Sequence, residues 1–153
     1  MEEICEKIVR NLEKQNKTIS FMESCTGGFL ANCITNISGA SNVLKVSLVT
    51  YSTAYKEKFG VDKNIIDNYT VYSMETAKEM AKNVSKFADS SIGVGITGEL
   101  GNTINNKSKV YYSIYSKEKN ECLGRIIIPI SAERVQMKKE VAESIFLDIL
   151  KCL

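Results

Sequence analysis

Thr18-Ile19-Ser20-Phe21-Met22-Glu23-Ser24-Cys25-Thr26-Gly27-Gly28-Phe29-Leu30 is the stretch that decides the fold. Its first five residues alternate like a short strand. Phe29, Leu30, Cys33 and Ile34 then recur at helical spacing. Two glycines between them let the backbone approach a ligand closely. The unpaired N–H groups at a helix start attract an anion or a developing oxyanion.

Outward from this turn the pattern continues. Residues 2–14 read as an amphipathic helix with Ile4, Ile8, Val9 and Leu12 on one face. Residues 37–41 read as a loop, Val43 to Tyr51 as a buried strand, and 53–59 as a short polar helix. Ser73 is a plausible N-cap with Glu75 in the first turn. The helix it opens carries Ala77, Met80, Ala81, Val84, Phe87 and Ala88 on one stripe. Ile92 to Thr97 is a strand interrupted by glycines. Residues 109–116 and 121–130 form two strands joined by Lys117-Glu118-Lys119-Asn120. Ser131 caps a last helix with Val135, Val141, Ile145, Phe146, Ile149 and Leu150 inward. Helices alternate with strands first and a hairpin comes late, which predicts a single α/β domain over 1–153. Its architecture is a three-layer α/β/α sandwich with a mixed sheet.

Composition narrows the function. A net charge of +2, with lysines scattered among acids, argues against nucleic acid, which needs a basic stripe. No apolar run is long enough to span a bilayer, and the acidic start lacks the positive flank of a signal peptide. Five widely spaced cysteines without a C-x-x-C pair read as reduced thiols, so the expected location is the cytoplasm. The chain has no histidine. That removes Ser-His-Asp and Cys-His catalysis and most zinc sites, and no metal or other cofactor is expected. Protons must move through Lys, Asp, Glu, Tyr or Cys.

Four places could carry chemistry, and each has a plainer reading. Ser24 is either a nucleophile at the glycine-opened helix or part of a strand-to-helix turn. Cys25 is a rival nucleophile or a small buried residue; without a histidine to activate it, burial is favoured. Val49-Thr50-Tyr51-Ser52-Thr53-Ala54-Tyr55-Lys56 puts polar groups at the end of an apolar strand, where α/β sheets bind ligands. Lys56 there is a base if burial lowers its pKa, and otherwise one surface lysine among many. Thr97-Gly98 ends a strand in a turn that wraps either a ligand or nothing. Arg134 lies in the first turn of the last helix, where the dipole disfavours a cation. An anionic ligand explains that placement, and so does simple solvation.

In order, Met22 to Gly28, Val49 to Lys56, Thr70-Val71-Tyr72-Ser73 and Thr97 to Asn102 resemble the motifs of the CinA C-terminal domain family. The family patterns are A-E-S-C-T-G-G, V-T-Y-S-N-x-A-K, G-A-V-S and T-G-I-A-G-P. The likeness runs from about residue 3 to residue 150. It implies an amidase that hydrolyses the carboxamide of nicotinamide mononucleotide to nicotinate mononucleotide and ammonia. Carried over, Ser24 is the nucleophile, Lys56 the base and Tyr51 the assisting hydroxyl. Thr26, Gly27, Gly28, Thr50, Ser52, Thr97, Gly98 and Arg134 would bind substrate, a small pyridine nucleotide. The resemblance further implies a homodimer and the stand-alone form of a domain that some members fuse to a larger one.

The chain also departs from the pattern. The family's G-P-x-G-G is here Gly101-Asn102-Thr103-Ile104, followed by a shorter loop. P-V-G-T-V-W becomes Asn106-Lys107-Ser108-Lys109-Val110-Tyr111. Glu99 replaces an apolar residue, and of R-F-x-G-D-R only the last arginine remains, as Arg134. These changes spare the reaction centre and alter the substrate periphery. They keep two other readings open: a family member with weakened catalysis that binds a nucleotide or partner, and an amidase for another small amide.

Overall fold

In a computed structural model that describes residues 1–101 and 108–153, one five-stranded sheet carries helices on both faces. The elements are α1 (Glu2–Lys14), β1 (Ile19–Glu23), α2 (Phe29–Thr35), α3 (Ala40–Val43), β2 (Leu44–Val49) and α4 (Thr53–Lys58). They continue as α5 (Lys63–Tyr69), α6 (Met74–Ala88), β3 (Ile92–Glu99), β4 (Lys109–Ser116), β5 (Glu121–Ile127) and α7 (Arg134–Cys152). The strand order is β2-β1-β3-β4-β5. β1 runs parallel to both β2 and β3, and β4 and β5 are antiparallel additions. The sheet is therefore mixed, and the helices complete the α/β/α sandwich.

The two faces are packed differently. On one, α1 buries Cys5, Ile8, Val9 and Leu12 against α7 and the sheet. Burial of each large apolar side chain favours folding by about 2 kcal/mol. On the other, α6 lies directly on β3. A Cβ on Gly93 would meet the Ala81 carbonyl at 2.0 Å, and one on Gly95 the Ala77 carbonyl at 2.3 Å. The glycines that interrupt this strand are thus where a helix backbone touches the sheet. Ser73 caps α6 by accepting from the Thr76 N–H at 3.1 Å.

Several boundaries differ from those the sequence implies. Residues 37–41 are not wholly loop, because Ala40 opens the single-turn α3. β2 is a half-buried edge strand that stops at Val49. The Thr50 N–H still bonds the Glu23 carbonyl of β1, but its own carbonyl accepts from Lys56 instead of continuing the ladder. The short helix α5 is an addition, capped by Asp62 accepting from the Asn64 N–H. β5 ends at Ile127, and Ile130 is 92% exposed beyond Pro129, which has no N–H to donate. α7 has Glu133 at its N-cap. Ser131 instead bonds the Glu140 carboxylate, through both its N–H and its hydroxyl. Val135 points outward and Met137 takes the inward place. Phe87 also leaves its predicted stripe: it is exposed and packs edge-on against Phe59, with centroids 5.6 Å apart.

Candidate active site

The parallel strands bring their carboxyl ends to one edge of the sheet, where ligands of open α/β sheets bind. Ser24 follows the last residue of β1, Thr50 follows β2, and Thr97 and Gly98 lie near the end of β3. The chain after Glu23 turns through Gly27 (φ +64°) and Gly28 (φ +90°) into α2. Those left-handed torsions are costly for any residue with a Cβ.

Glu23 builds this turn. Its fully buried carboxylate accepts from the Gly28 N–H at 3.0 Å, the Leu30 N–H at 3.2 Å and the Ala31 N–H at 3.0 Å. The Ser47 hydroxyl donates to it at 3.3 Å. The N-terminus of α2 is therefore already occupied by a built-in anion. The Gly27 N–H is also taken, by the Ser24 carbonyl at 3.0 Å. Among the described residues, the Cys25 and Thr26 N–H groups have no backbone acceptor. The motif contains Glu23, but its role was not assigned from sequence; a carboxylate just before a glycine-opened helix was the usable signal.

Lys56 comes from α4. Ser52 caps that helix, its Oγ accepting from the Tyr55 N–H at 3.4 Å. One turn later Lys56 is the buried residue of α4, with 1% of its surface exposed. Its Nζ donates to the Thr50 carbonyl at 2.7 Å and to Ser24 Oγ at 3.1 Å. Burial, which disfavours the ammonium, lowers the pKa of this amine below the ordinary lysine value. Ser24 is itself buried. Cys25 is buried too, and burial pushes its thiol up to about 11, so it is not a thiolate near neutrality.

The other predicted site residues are placed as follows. Among the described residues, the Thr26 and Thr50 hydroxyls are buried without a hydrogen-bond partner. The Thr97 hydroxyl donates to the Val71 carbonyl at 2.8 Å and so ties down the segment before α6. Gly98 faces β4: a Cβ there would meet the Lys109 carbonyl at 2.4 Å. Tyr51 is 64% exposed, and its hydroxyl accepts from Arg134 at 3.1 Å. Among the described residues it bonds neither Ser24 nor Lys56. Arg134 also donates to the Leu100 carbonyl, which clamps the end of β3 to α7. Glu99 is exposed and sits opposite Lys109 in the β3–β4 register. Of the altered loop, Asn102, Thr103, Ile104, Asn106 and Lys107 lie outside the described residues.

A cleft of about 940 Å³ opens at the opposite end of the sheet, bordered by Lys17, Ile92, Leu123 and Asp148. It contains no nucleophile paired with a base, so chemistry rather than cleft size locates the candidate site. Among the described residues, no group of three His, Cys, Asp or Glu side chains could hold a metal ion. No helix there is long and apolar enough to cross a membrane.

An α/β/α domain with a buried serine and lysine in contact at the carboxyl edge of its parallel strands is the class these features define. The chain belongs to the CinA family: residues 1–151 match the CinA C-terminal domain. A CinA-like protein of Petrotoga mobilis is 37% identical over 144 residues, covering 91% of this chain and 35% of that protein. A CinA-like protein of Endomicrobium trichonymphae is 43% identical over 117 residues, covering 73% of this chain and 27% of its own length. The chain thus spans about a third or less of the curated relatives it matches. Among solved structures, a competence/damage inducible protein from Agrobacterium tumefaciens superimposes with a TM-score of 0.88 at 24% identity. That match covers 98% of this chain and 94% of the other. A CinA superfamily protein from Escherichia coli gives 0.90 at 20% identity, covering 99% and 90%. At these identities the likeness concerns the fold.

Proposed function

We propose that this chain is an amidohydrolase that uses Ser24 and Lys56 to hydrolyse the carboxamide of nicotinamide mononucleotide. The observation that carries the reading is the 3.1 Å contact between Lys56 Nζ and Ser24 Oγ, both buried, in a chain without histidine. The neutral Lys56 amine takes the hydroxyl proton as Ser24 Oγ attacks the carboxamide carbon. The Thr50 carbonyl fixes the amine's direction during that transfer. The carbonyl oxygen becomes an oxyanion facing the Cys25 and Thr26 N–H groups, a donor type worth about 3–4 kcal/mol. Lys56 then protonates the leaving nitrogen. The C–N bond breaks, and ammonia departs from an ester on Ser24. Water attacks that ester, Lys56 takes the water's proton, and it returns the proton to Ser24 Oγ as the carboxylic acid leaves.

The test is ammonia release from nicotinamide mononucleotide, nicotinamide riboside, nicotinamide and unrelated small amides. The mononucleotide should be the best substrate. Ser24→Ala should abolish release without lowering the melting temperature, and Cys25→Ala should keep most of it. Turnover retained in Ser24→Ala would remove the serine mechanism. A different amide as best substrate would keep the chemistry and change the substrate.

A further inference from the structure

The cleft at the amino end of the parallel strands is built around charge that the Ser24–Lys56 pair does not use. Its floor is apolar: Ile92 and Ile114 are almost fully buried, and Leu123 packs beside them against the core. On its wall Asp148 of α7 is 3% exposed, a burial that a carboxylate tolerates only when it is paired and hydrogen-bonded. The buried Tyr112 hydroxyl donates to Asp148 Oδ2 at 2.6 Å. Arg125 of β5 pairs with the same oxygen through Nε at 2.5 Å, and Lys151 pairs with Oδ1 at 2.8 Å. Two cations thus share one carboxylate.

Tying α7 to β5 would need less than this. One cation and the phenol satisfy a buried carboxylate, and the second cation leaves the cluster positive. Lys119, in the turn between β4 and β5, adds a third. Among the described residues it forms no ion pair, whereas the neighbouring Lys17 and Lys117 are paired with Glu118 and Asp89. The Cys152 thiol shows that the three cations converge. Burial raises its pKa and the Asp148 charge adds to the rise, while Lys119, Arg125 and Lys151 all pull it down. Five cations border the cleft against three acids, Glu118, Glu121 and Asp148. The Arg125 and Lys151 side chains are 54% and 69% exposed, so both can meet a ligand.

We infer that this cleft is a second ligand site, for a nucleoside diphosphate: Lys119, Arg125 and Lys151 take the diphosphate, and Ile92, Ile114 and Leu123 take the base. The volume of about 940 Å³ suits an organic ligand and far exceeds what a bare anion fills. Asp148 fixes the Arg125 guanidinium through Nε and leaves both Nη groups outside that pair, ready for bidentate contact with a phosphate. A diphosphate has charge enough to meet all three cations, which a single carboxylate has not. A flat base keeps water off the isoleucine and leucine floor. The site stands apart from the amidase reading. It lies at the other end of the strands from Ser24, and the nucleotide is bound there rather than turned over.

ADP is the probe, titrated by calorimetry without divalent metal, with adenosine and inorganic pyrophosphate alongside. The wild type should bind ADP more tightly than either, and less tightly as salt rises. Lys119→Gln disturbs no ion pair, so its melting temperature should hold while its ADP affinity falls about tenfold, the loss of one charge-assisted contact. Arg125→Lys keeps a cation for Asp148 but removes the fork, and should weaken ADP by a similar factor. Leu123→Ala should weaken ADP and leave pyrophosphate unchanged. No binding of ADP to the wild type, or wild-type affinity in both Lys119→Gln and Arg125→Lys, overturns the site. Pyrophosphate bound as tightly as ADP, or an ADP affinity untouched by Leu123→Ala, overturns the nucleotide as its ligand.

Discussion

The Thr50 carbonyl accepts from Lys56 Nζ at 2.7 Å and holds the amine against Ser24. Because burial lowers the Lys56 pKa below 10.5, the neutral amine is populated at lower pH than in a solvated lysine. Activity should therefore rise with pH through the lowered value and level off before the ordinary lysine range. Lys56→Ala should cost about 10²–10⁴ in kcat, the usual share of a general base. Lys56→Arg should be nearly as damaging, since a guanidinium keeps its proton. The measurement is kcat/KM against pH. A flat profile from mildly acidic to strongly alkaline pH would exclude lysine as the base.

The same burial makes Lys56 a burden on the fold when it is charged. Between the lowered folded pKa and 10.5, the unfolded chain holds a proton that the folded chain does not. Stability rises with pH through that window, and below it the full penalty applies. Lys56→Met should therefore unfold at higher temperature than the parent at pH 7, with the gap narrowing towards pH 10. The orphaned Thr50 carbonyl offsets about 1 kcal/mol of the gain. Thermal melts at the two pH values check this. A variant that is less stable at pH 7 would mean that the ammonium's two hydrogen bonds outweigh its burial.

Glu23 should matter to both stability and rate. Glu23→Gln keeps the shape but turns an amide NH₂ towards backbone donors at the start of α2. The expected loss is about 2–3 kcal/mol, as for a hydrogen-bonded buried charge. Because the same carboxylate shapes the Ser24 turn, kcat should fall more than KM rises. Denaturant melts with steady-state kinetics on the mononucleotide test it. Lost stability with unchanged kcat would make Glu23 purely structural.

Much of this site is legible in the sequence because it is local. Glu23 to Gly28 form one turn, and the two glycines announce left-handed torsions. Lys56 lies in the short polar helix that follows the Val49–Ser52 stretch, so its place at the end of β2 is local too. The unread parts depend on distant packing. Whether Lys56 was buried rested on how α4 meets the end of β1, which no periodicity encodes. β2 read as a buried strand because Val43, Val46, Leu48 and Val49 are β-formers, yet sheet order made it an edge. Val135 and Ser131 were misplaced for a related reason: Glu140 captured Ser131, and α7 started later.

Tyr51 offers the sharpest division between the role that the family resemblance implies and the one its contacts suggest. The resemblance gives its hydroxyl a part in proton transfer. In the structure that hydroxyl is exposed and accepts from Arg134 at 3.1 Å. A group acting on the Ser24 proton should lower kcat when removed and alter the pH profile. A group that orients Arg134 should instead raise KM, because the arginine then meets the phosphate with more freedom. Tyr51→Phe removes only the oxygen, so ring packing is untouched. The expected result is a KM raised about three- to tenfold, the worth of about one neutral hydrogen bond, with kcat within about twofold and an unshifted pH profile. The effect should vanish with nicotinamide riboside, which has no phosphate for Arg134 to hold. A kcat loss of a hundredfold or more with both substrates would mean that Tyr51 swings to the Ser24–Lys56 pair when substrate binds. Its contact with Arg134 would then be given up during turnover.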